Sequence, residues 1–420
     1  MLRILHVCHN DPRLHAGGTE IVARELCEEL ARRPGVDGVF LAGTNELHRA
    51  RRPGTAFQTV GRGGRDMLMW SGGFDQFNLV QADVGGVFTE FVELLRDYRP
   101  QVVHFHHLLL VGVEAIFAVR RALPDARIVV SLHDYTAICH REGVMVRRDG
   151  GTLCREATPD ACTGCFPEIP RGHFKLRDIN IRTHFRLVDA FLAPSRFLRD
   201  RYVAWGIAPE RIRVLRNGRA LPPPAPPRAV PEGGRRDAFA VFGNLSPMKG
   251  TLVALQAAQR LAAAGGPAFS LAIHGSPEFQ TDAFRREIAA AVDGCGGRAV
   301  VTGRYRADEV PALVARADWV IVPSVWWENA PLVIQEAFHH GRPVLCSDIG
   351  GMAEAVTDGV DGLHFRMGDA AALAGCMRRA IEEDGLWDRL RAGMAPARSV
   401  AACADEHLAL YEELRATVAD

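Results

Sequence analysis

Short apolar runs rich in β-branched residues alternate with longer segments of helical period along most of this 420-residue chain. The alternation is typical of repeated βα units, in which crossover helices join buried parallel strands. It forms two series, with strands predicted at Leu2–Cys8, Val102–Phe105, Arg127–Leu132, Ala190–Ala193 and Ile212–Leu215, then at Phe239–Phe242, Ser270–His274, Ala299–Thr302, Trp319–Val322 and Pro343–Ser347. The sequence therefore predicts an α/β protein with two Rossmann-like parallel sheets.

A proline-rich stretch between the two series marks the predicted domain boundary. Residues 217–234 read NGRALPPPAPPRAVPEGG, and prolines at this density favour an extended, semi-rigid linker. We predict an N-terminal domain over residues 1–218, a linker over 219–237, a C-terminal domain over 238–400 and a helix over 401–420 that packs back toward the N-terminal domain. Ligands of paired α/β domains bind at the carboxyl ends of the strands, so we expect a site in the cleft.

Charge and hydropathy argue against two broad classes of protein. The 50 Lys and Arg residues are balanced by 50 Asp and Glu residues, so no long-range field attracts nucleic acids. The start of the chain is too short an apolar run for a signal peptide. The most apolar long stretch, Val102–Val119, is interrupted by polar residues that argue against a membrane-spanning helix, namely His104, His106, His107 and Glu114. We expect a soluble, cytosolic protein.

Two loops that follow predicted strands carry candidate phosphate ligands. Gly17 and Gly18 precede an amphipathic segment, where the N–H groups of a helix start bind anions, although a tight turn explains the glycines equally well. Lys249 lies in the loop after Phe239–Phe242. A lysine there serves either as a point charge for a phosphate or as an ordinary solvated side chain.

A third candidate follows the fourth strand of the second series. Asn329 or Ala330 can cap a new helix with Pro331 in its first turn. The free N–H groups around Leu332 and Val333 are then placed to hold a diphosphate.

Two glutamates flank this predicted helix start. Glu328 lies just before the helix, and Glu336 is predicted to lie two turns inside it. One carboxylate can reach past a phosphate toward a sugar, while the other accepts hydrogen bonds from ribose hydroxyls. The alternative is a capped helix with two solvated glutamates.

The spacing of Glu328 and Glu336 matches the E-x7-E motif of the retaining glycosyltransferases of family four. Other segments resemble that family in the same order along the chain: GGTE at 17–20, APS at 193–195, RNG at 216–218 and DIGGMAEAVTDGVDGLHF at 348–365. The resemblance covers nearly the whole chain. It implies the GT-B architecture, in which two Rossmann-like domains face a cleft, the N-terminal one on the acceptor side and the C-terminal one binding the nucleotide sugar.

The resemblance implies roles for residues of the second series. Glu328 would contact the transferred sugar, Glu336 the ribose, and Lys249 the diphosphate. The backbone of residues 330–333 would hold the distal phosphate. Arg304 falls where the family holds the nucleotide base through main-chain groups.

The resemblance also implies roles for Gly17 and Gly18, which would face the phosphate or the acceptor, and for His133, which would approach the donor sugar. A histidine at a strand end is equally explained by a bond to backbone. At Asn244 the chain departs from the family, which usually has an arginine there beside the lysine on the diphosphate. Asparagine donates a hydrogen bond but has no charge, so the diphosphate would be neutralised with less help.

The resemblance implies a retaining hexosyltransferase that needs no metal for catalysis and uses a nucleotide sugar as its donor substrate. Stabilisation of the leaving diphosphate is the expected main contribution to the rate. The acceptor would be a carbohydrate or a lipid-linked compound, in the assembly of a cell-surface polysaccharide, glycolipid or secondary metabolite. The alternatives are a nucleotide-sugar epimerase on a similar fold, against which the two glutamates argue, and a non-catalytic nucleotide- or carbohydrate-binding protein.

Four of the ten cysteines, Cys139, Cys154, Cys162 and Cys165, fall in a polar segment rich in Gly, Pro, Asp and Arg. Four thiolates that include a CxxC pair suit a tetrahedral zinc ion, which would stabilise the insertion over residues 139–170. Reduced free thiols are the alternative.

The segment over residues 174–187 is amphipathic with a basic face. Such a helix can lie on an anionic membrane surface, where lipid-linked acceptors reside. The alternative is an ordinary surface helix.

Overall fold

The computed structural model describes residues 1–60 and 63–416, and the chain divides into two α/β units. The first unit comprises Met1–Ala220 together with Arg398–Asp420, and the second comprises Leu221–Ala397. The division therefore falls at the start of the proline-rich stretch, and the last part of the chain belongs to the first unit.

The first unit opens with a series of strands and helices. Its described elements up to the linker are β1 (Leu2–Cys8), α1 (Gly18–Leu30), β2 (Val36–Thr44), β3 (Phe57–Val60), β4 (Asp66–Trp70), β5 (Phe74–Asp75), β6 (Val80–Gln81), α2 (Val84–Tyr98), β7 (Val102–Phe105), α3 (Glu114–Ala122), β8 (Arg127–Ser131), α4 (Pro159–Cys165), α5 (Arg171–Phe185), β9 (Ala190–Ala193), α6 (Arg196–Trp205) and β10 (Ile212–Val214).

These strands form a sheet in the order β10-β9-β8-β7-β1-β2-β4-β3, with β5 and β6 apart as an antiparallel pair. Every neighbouring pair in the sheet is parallel except β3 with β4. The central strand β1 is apolar and buried on both faces, as expected for a parallel sheet covered by helices. The order of strands reverses between β1 and β7, so their carboxyl ends form the switch point at which such sheets bind ligands.

The strand prediction missed β2, which pairs with β1 from Leu2↔Val36 to Cys8↔Ala42. Asp37 and Gly38 interrupt its apolar pattern, and neither favours a strand locally. Pairing with the whole of β1 therefore decides the conformation of this segment.

The second unit has its own series. The described elements are β11 (Ala238–Phe242), α7 (Thr251–Ala263), β12 (Ser270–His274), α8 (Asp282–Asp293), β13 (Ala299–Gly303), α9 (Val310–Val314), β14 (Trp319–Val322), α10 (Leu332–His339), β15 (Val344–Ser347), α11 (Gly350–Ala355), β16 (Gly362–Phe365), α12 (Ala370–Glu382) and α13 (Leu386–Gly393), followed by α14 (Val400–Ala416) of the first unit.

The sheet of the second unit is parallel throughout, in the order β13-β12-β11-β14-β15-β16. From β11 the strand order runs outward through β12 to β13, and from β14 it runs in the opposite direction through β15 to β16. This is the strand order of the Rossmann fold. The switch point therefore lies between β11 and β14. The fold class predicted from the sequence, α/β with parallel sheets in two domains, is confirmed.

Side chains of the second unit hold the proline-rich stretch. Arg342 is fully buried, and its guanidinium donates to the carbonyl oxygens of Ala225 at 3.0 Å and Pro226 at 2.5 Å. The N–H of Ala225 donates to Nδ1 of His340 at 2.9 Å. Prolines have no N–H donor and therefore pair poorly with a neighbouring strand. The carbonyl oxygens of Ala225 and Pro226 instead accept hydrogen bonds from the guanidinium of Arg342.

The last helix, α14, packs in the core of the first unit. Cys403, Ala404, Leu410 and Tyr411 join a buried cluster that includes Ile4 of β1. Among the described residues, no helix combines the length and apolar character that a bilayer crossing requires.

Candidate functional site

Two loops meet at the switch point of the second sheet, one after β11 and one after β14. The strands themselves are neighbours, with Phe239 opposite Trp319 and Ala240 opposite Val320. Because β11 and β14 run parallel to each other, the loops that follow them leave the same edge of the sheet.

A glycine lets these loops touch. The loop after β11 forms a 3₁₀ turn over Pro247–Lys249 and ends at Gly250, whose φ is +68°. A Cβ at Gly250 would lie 1.8 Å from the carbonyl oxygen of Pro323, so only glycine fits. The N–H of Val325 donates to the carbonyl oxygen of Met248 at 2.9 Å, which joins the two loops.

Lys249 and Glu328 form an ion pair across this junction. The ammonium of Lys249 lies 2.7 Å from Oε1 of Glu328, whose side chain is 7% exposed. The same oxygen accepts hydrogen bonds from Ser324 Oγ at 2.7 Å and from Trp326 Nε1 at 2.9 Å. Two predicted residues are therefore in direct contact, and their partners Ser324 and Trp326 were missed because their role is visible only once the loop is folded.

The backbone around Glu328 is held by the start of α11. The N–H of Gly351 donates to the carbonyl oxygen of Glu328 at 2.6 Å, and a Cβ at Gly351 would lie 1.7 Å from the carbonyl oxygen of Asn329. Gly350 has a φ of +60°, which glycine adopts readily. The pair of glycines in the segment over residues 348–365 thus supports the loop that presents the carboxylate.

The helix after Glu328 begins later than predicted. α10 starts at Leu332, and Pro331 with a ψ of 118° is its N-cap, so the prediction of a cap at Asn329 or Ala330 is wrong. Proline disfavours the helical conformation in the residue before it, which delays the helix start. The described helix leaves the N–H groups of Leu332 and Val333 without helical partners, and Val333 lines a recess with Lys249.

That recess lies at the switch point of the second unit. Its walls include Phe242, Gly243, Asn244, Lys249, Glu328 and Val333. Asn244 is exposed on the loop after β11. The recess thus combines an amide, an ammonium group and a carboxylate at one edge of the sheet.

Two further predicted residues lie near this edge. Glu336 lies one turn inside α10, not two, because the helix starts at Leu332. Burial, with Glu336 nearby, raises the pKa of Tyr305, whose ring packs edge-on against Phe242 with centroids 5.8 Å apart. The side chain of Arg304 instead pairs with Glu278 at 2.7 Å.

At the switch point of the first unit, Gly17 is the N-cap of α1 and Gly18 is its first residue. The buried carboxylate of Glu20 folds back toward this turn, so that a Cβ at Gly17 would lie 2.5 Å from its Oε2. Glu20 also pairs with Nε2 of His9 at 3.1 Å. The glycine turn therefore faces a carboxylate of its own helix, which suits the positive end of the helix dipole.

A polar recess lies beside this turn, at the ends of β7 and β8. Its walls include His9, His107, Asp134, Thr136, Cys139 and His140. Nε2 of His107 lies 2.9 Å from Oδ2 of Asp134, and its Nδ1 accepts the N–H of Leu109 at 3.0 Å. Burial opposes ionisation of Asp134, but the adjacent His107 and a backbone N–H lower its pKa to about 2. Because Nδ1 is an acceptor, the proton lies on Nε2 and points at Asp134.

His133 belongs to a chain of histidine rings in the first unit. Burial, and then the neighbouring His107, lower the pKa of His133 to about 3, and its ring centroid lies 5.8 Å from that of His106. Nδ1 of His6 lies 3.1 Å from Nε2 of His106. His133 is therefore neutral at pH 7.

Among the described residues, three buried histidines lie close enough together to be considered as metal ligands. They are His6, His104 and His106, whose ring nitrogens lie within 4.8 Å of one another. Both nitrogens of His104 are already bonded, Nδ1 to Tyr411 at 2.6 Å and Nε2 to Ser131 at 2.8 Å. The cluster is therefore built as a hydrogen-bonded network of neutral rings.

The four cysteines predicted to bind zinc lie between β8 and α5. Cys162 and Cys165 are one turn apart on α4, while Cys139 and Cys154 lie in the loops before it. In the described part of the chain no three of these sulfur atoms lie within 4.8 Å of one another, a wider spacing than in a filled tetrahedral site.

Two family models match the chain. The model described as Glycosyltransferase Family 4 matches residues 16–221, and the model described as Glycosyl transferases group 1 matches residues 236–383. The first match includes the glycine turn and His133, and the second includes the recess formed around Lys249 and Glu328.

Individual proteins are similar over various lengths. The 2-deoxystreptamine glucosyltransferase of Streptomyces kanamyceticus is 32% identical over 163 residues, which cover 39% of this chain and 40% of the relative. The D-inositol 3-phosphate glycosyltransferase 1 of Catenulispora acidiphila is 28% identical over 309 residues, which cover 71% of this chain and 67% of the relative. The chain thus spans less than half the length of the first of these relatives.

Among solved structures, HepE of Anabaena in complex with UDP-glucose has a TM-score of 0.62 at 17% identity, with 100% of both chains covered. At that identity the similarity shows a shared fold, and it extends over both α/β units.

Proposed function

The chain belongs to glycosyltransferase family 4 and has the GT-B fold, and on that premise we propose that it is a retaining glycosyltransferase that moves a sugar from a nucleotide-sugar donor to an acceptor hydroxyl. The observation that carries the proposal is the ion pair of Lys249 with Glu328 beside the free N–H groups of α10. A cation and a helix N-terminus at a Rossmann switch point are suited to a diphosphate.

Lys249 would stabilise the leaving diphosphate. Its ammonium has three N–H donors, of which one is directed at Glu328 in the structure. The others would bond the diphosphate, together with the N–H groups of Leu332 and Val333. Positive charge and fixed dipoles would then meet the negative charge that develops as the glycosidic bond breaks, so the proposed route needs no divalent cation.

Glu328 would have two roles. In the structure it is the counter-ion of Lys249, and in the complex its carboxylate would contact the transferred sugar. The hydrogen bonds from Ser324 and Trp326 fix its orientation, so it would be positioned before the donor binds. Glu336 would accept hydrogen bonds from the ribose, and the backbone at Arg304 would hold the base.

The acceptor hydroxyl would attack from the face that the diphosphate leaves, with a donor phosphate oxygen as the base. This route gives retention of the anomeric configuration without a protein nucleophile. The neutral imidazole of His133 and the turn at Gly17 and Gly18 would lie on the acceptor side. Hydrogen bonding by a neutral imidazole suits a sugar hydroxyl.

We assign the acceptor to a carbohydrate or lipid-linked compound in polysaccharide, glycolipid or secondary-metabolite assembly. The glucosyltransferase from Streptomyces kanamyceticus and the inositol phosphate enzyme from Catenulispora acidiphila support a hydroxyl-bearing small molecule. The donor complex of HepE with UDP-glucose supports a UDP-sugar as the first donor to test.

A bilayer contact of the first unit fits a lipid-linked acceptor. On α5, Leu176 is 63% exposed and Ile179 is 50% exposed, and on the neighbouring α3 Phe117 is 49% exposed. The exposed cations Lys175 and Arg186 flank them. Apolar side chains bordered by cations suit an anionic lipid surface.

Vesicle sedimentation tests this contact. Leu176→Ser with Ile179→Ser should reduce binding to vesicles of mixed phosphatidylglycerol and phosphatidylcholine by about tenfold, because two apolar side chains no longer enter the interface. Phe279→Ser is the matched control, since Phe279 is 82% exposed in the second unit. Equal binding by all three proteins would contradict the contact.

The activity is tested with UDP-, GDP- and ADP-sugars. A bound donor at a hundred times its dissociation constant should stabilise the protein by about 2.7 kcal/mol. Free nucleoside diphosphate should be released only with an acceptor, and NMR should show the donor anomeric configuration in the product. Inversion would contradict the retaining mechanism. Sugar isomerisation without an acceptor would identify an epimerase, and stabilisation without any turnover a binding protein.

A further inference from the structure

The loop after β12 presents a phenylalanine to solvent. Phe279 is 82% exposed. It lies in a turn that is closed by the N–H of Gln280, which donates to the carbonyl oxygen of Pro277 at 2.9 Å. Single exposed apolar side chains are common on protein surfaces and by themselves indicate no function. The surroundings of this ring therefore decide its significance.

Contacts with the residues after β13 hold the ring in place. The guanidinium of Arg304 lies over the ring of Phe279, 4.9 Å from its centroid, and pairs with Glu278 at 2.7 Å. The next residue, Tyr305, is anchored edge-on against Phe242. Because Arg304 covers one face of the phenyl ring and the side chain is still 82% exposed, the other face of the ring is uncovered.

Three glycines form a strip of bare backbone at the same end of the sheet. Gly243 and Gly275 directly follow β11 and β12, and Gly303 ends β13. The N–H of Gly275 donates to the carbonyl oxygen of Gly303 at 2.8 Å, and a Cβ at Gly275 would lie 1.9 Å from the carbonyl oxygen of Gly243. At Gly243 and Gly303 an added Cβ would have no described atom within 4 Å beyond its chain neighbours. We call this strip the glycine floor.

The glycine floor continues into the recess around Lys249. Gly243 is a wall of that recess, and β11, β12 and β13 are parallel, so the floor lies at the edge of the sheet that carries the switch point. On the other side of the switch point the start of α11 is already in contact with the loop after β14, since a Cβ at Gly351 would lie 1.7 Å from the carbonyl oxygen of Asn329. A nucleotide with its diphosphate at Lys249 therefore finds open space over the glycine floor.

We propose that Phe279 stacks on the base of the nucleotide sugar, which would lie between the phenyl ring and the glycine floor. A planar base has two faces, and an aromatic ring and a strip of backbone without side chains each offer a flat surface to one of them. The side chain of Arg304 would position the ring. This role rests on the proposed function, because it requires a diphosphate held at Lys249.

Isothermal titration with UDP and with inorganic diphosphate tests the stacking. Phe279→Ala should weaken UDP binding by about tenfold, because the aromatic surface under the base is lost. Phe279→Tyr is the matched control, since it keeps an aromatic ring, and it should bind UDP as the unaltered protein does. Inorganic diphosphate has no base, so its affinity should be equal in all three proteins. Lys249→Met, by contrast, should weaken the binding of both ligands.

Two results would overturn the stacking while leaving the transferase proposal intact. One is equal affinity of Phe279→Ala and the unaltered protein for UDP. The other is an equal loss of affinity for UDP and for inorganic diphosphate in Phe279→Ala, since the loop would then support the diphosphate and not the base. Failure of the unaltered protein to bind UDP, GDP or ADP would contradict the proposed function itself, and the stacking with it. If GDP or ADP binds in place of UDP, the same comparison applies, because stacking tolerates any base.

Discussion

The ammonium of Lys249 lies 2.7 Å from Oε1 of Glu328, although 79 positions separate the two residues in the chain. The contact depends on a close approach of two loops, since a Cβ at Gly250 would lie 1.8 Å from the carbonyl oxygen of Pro323. Lys249 is also one of only two lysines among the 50 Lys and Arg residues. Arginine guanidinium groups form most of the ion pairs among the described residues, whereas the partner of Glu328 is a compact, strongly hydrated ammonium.

Replacement of Lys249 by methionine should reduce the transfer rate by about 100- to 1,000-fold, the usual cost of removing one group that stabilises developing charge. The reason is that the leaving diphosphate would lose its cation while the length of the side chain is kept. Steady-state kinetics of nucleoside diphosphate release measure the effect. Lys175→Met, assayed like the first variant with a soluble acceptor, is the matched control, since Lys175 is the other lysine and lies on the surface of α5. Equal rates in the two variants would show that Lys249 does not meet the diphosphate.

Replacement of Gly250 by alanine should lower the free energy of unfolding of the second unit by about 3 kcal/mol or more, because the new Cβ meets backbone. Gly265→Ala is the control: its φ of +64° is close to the +68° of Gly250, but nothing lies within 4 Å of a Cβ there. The control should lose about 1–2 kcal/mol from backbone strain alone. Urea unfolding measures both losses. Equal losses of unfolding free energy in the two variants would mean that the loops at Gly250 and Pro323 can move apart without further loss of stability.

Asn244→Arg should increase donor affinity by about fivefold, because a charge-assisted hydrogen bond is worth about 1 kcal/mol more than a neutral one. Asn244 and Lys249 line the same recess, so the new guanidinium would share the diphosphate. Isothermal titration with the nucleoside diphosphate measures the change. Asn244→Ala should weaken binding, and unchanged affinity in both variants would place the diphosphate away from this loop.

Acid should destabilise the first unit through its buried histidines. Burial lowers the pKa from 6.5 to about 3 for His6 and to about 4 for His407. Between those values and pH 6.5 the unfolded chain binds protons that the folded chain does not, so stability falls as the pH falls. Each histidine should contribute about 1 kcal/mol per pH unit over that window.

Hydrogen–deuterium exchange of peptides from β1 and α14, measured at pH 7.5 and pH 5.5, tests this expectation. After correction for its intrinsic pH dependence, exchange should be faster at pH 5.5 than at pH 7.5. His407→Gln should reduce the difference between the exchange rates at the two pH values. Equal protection at both pH values in the unaltered protein would contradict the lowered pKa values of these histidines.

Much of the fold could be predicted because buried parallel strands are locally recognisable. Runs such as Val102–Phe105 and Trp319–Val322 are apolar and β-branched, and each is a strand in the structure. The proline-rich stretch is equally local, since its prolines exclude both regular structures. The spacing of Glu328 and Glu336 was also readable without a fold, because a motif depends only on order along the chain.

The partners of those residues were decided by tertiary structure. Ser324 and Trp326 donate to Glu328, and Gly351 holds its backbone, only because loops after different strands meet at one sheet edge. Likewise β2 becomes a strand through pairing with β1, although its own pattern is interrupted. Sequence determined which segments can be buried strands and helices, since propensity and hydropathy act over a few residues. Tertiary structure decided which charges meet, since hydrogen bonds and ion pairs depend on distances that no local pattern encodes.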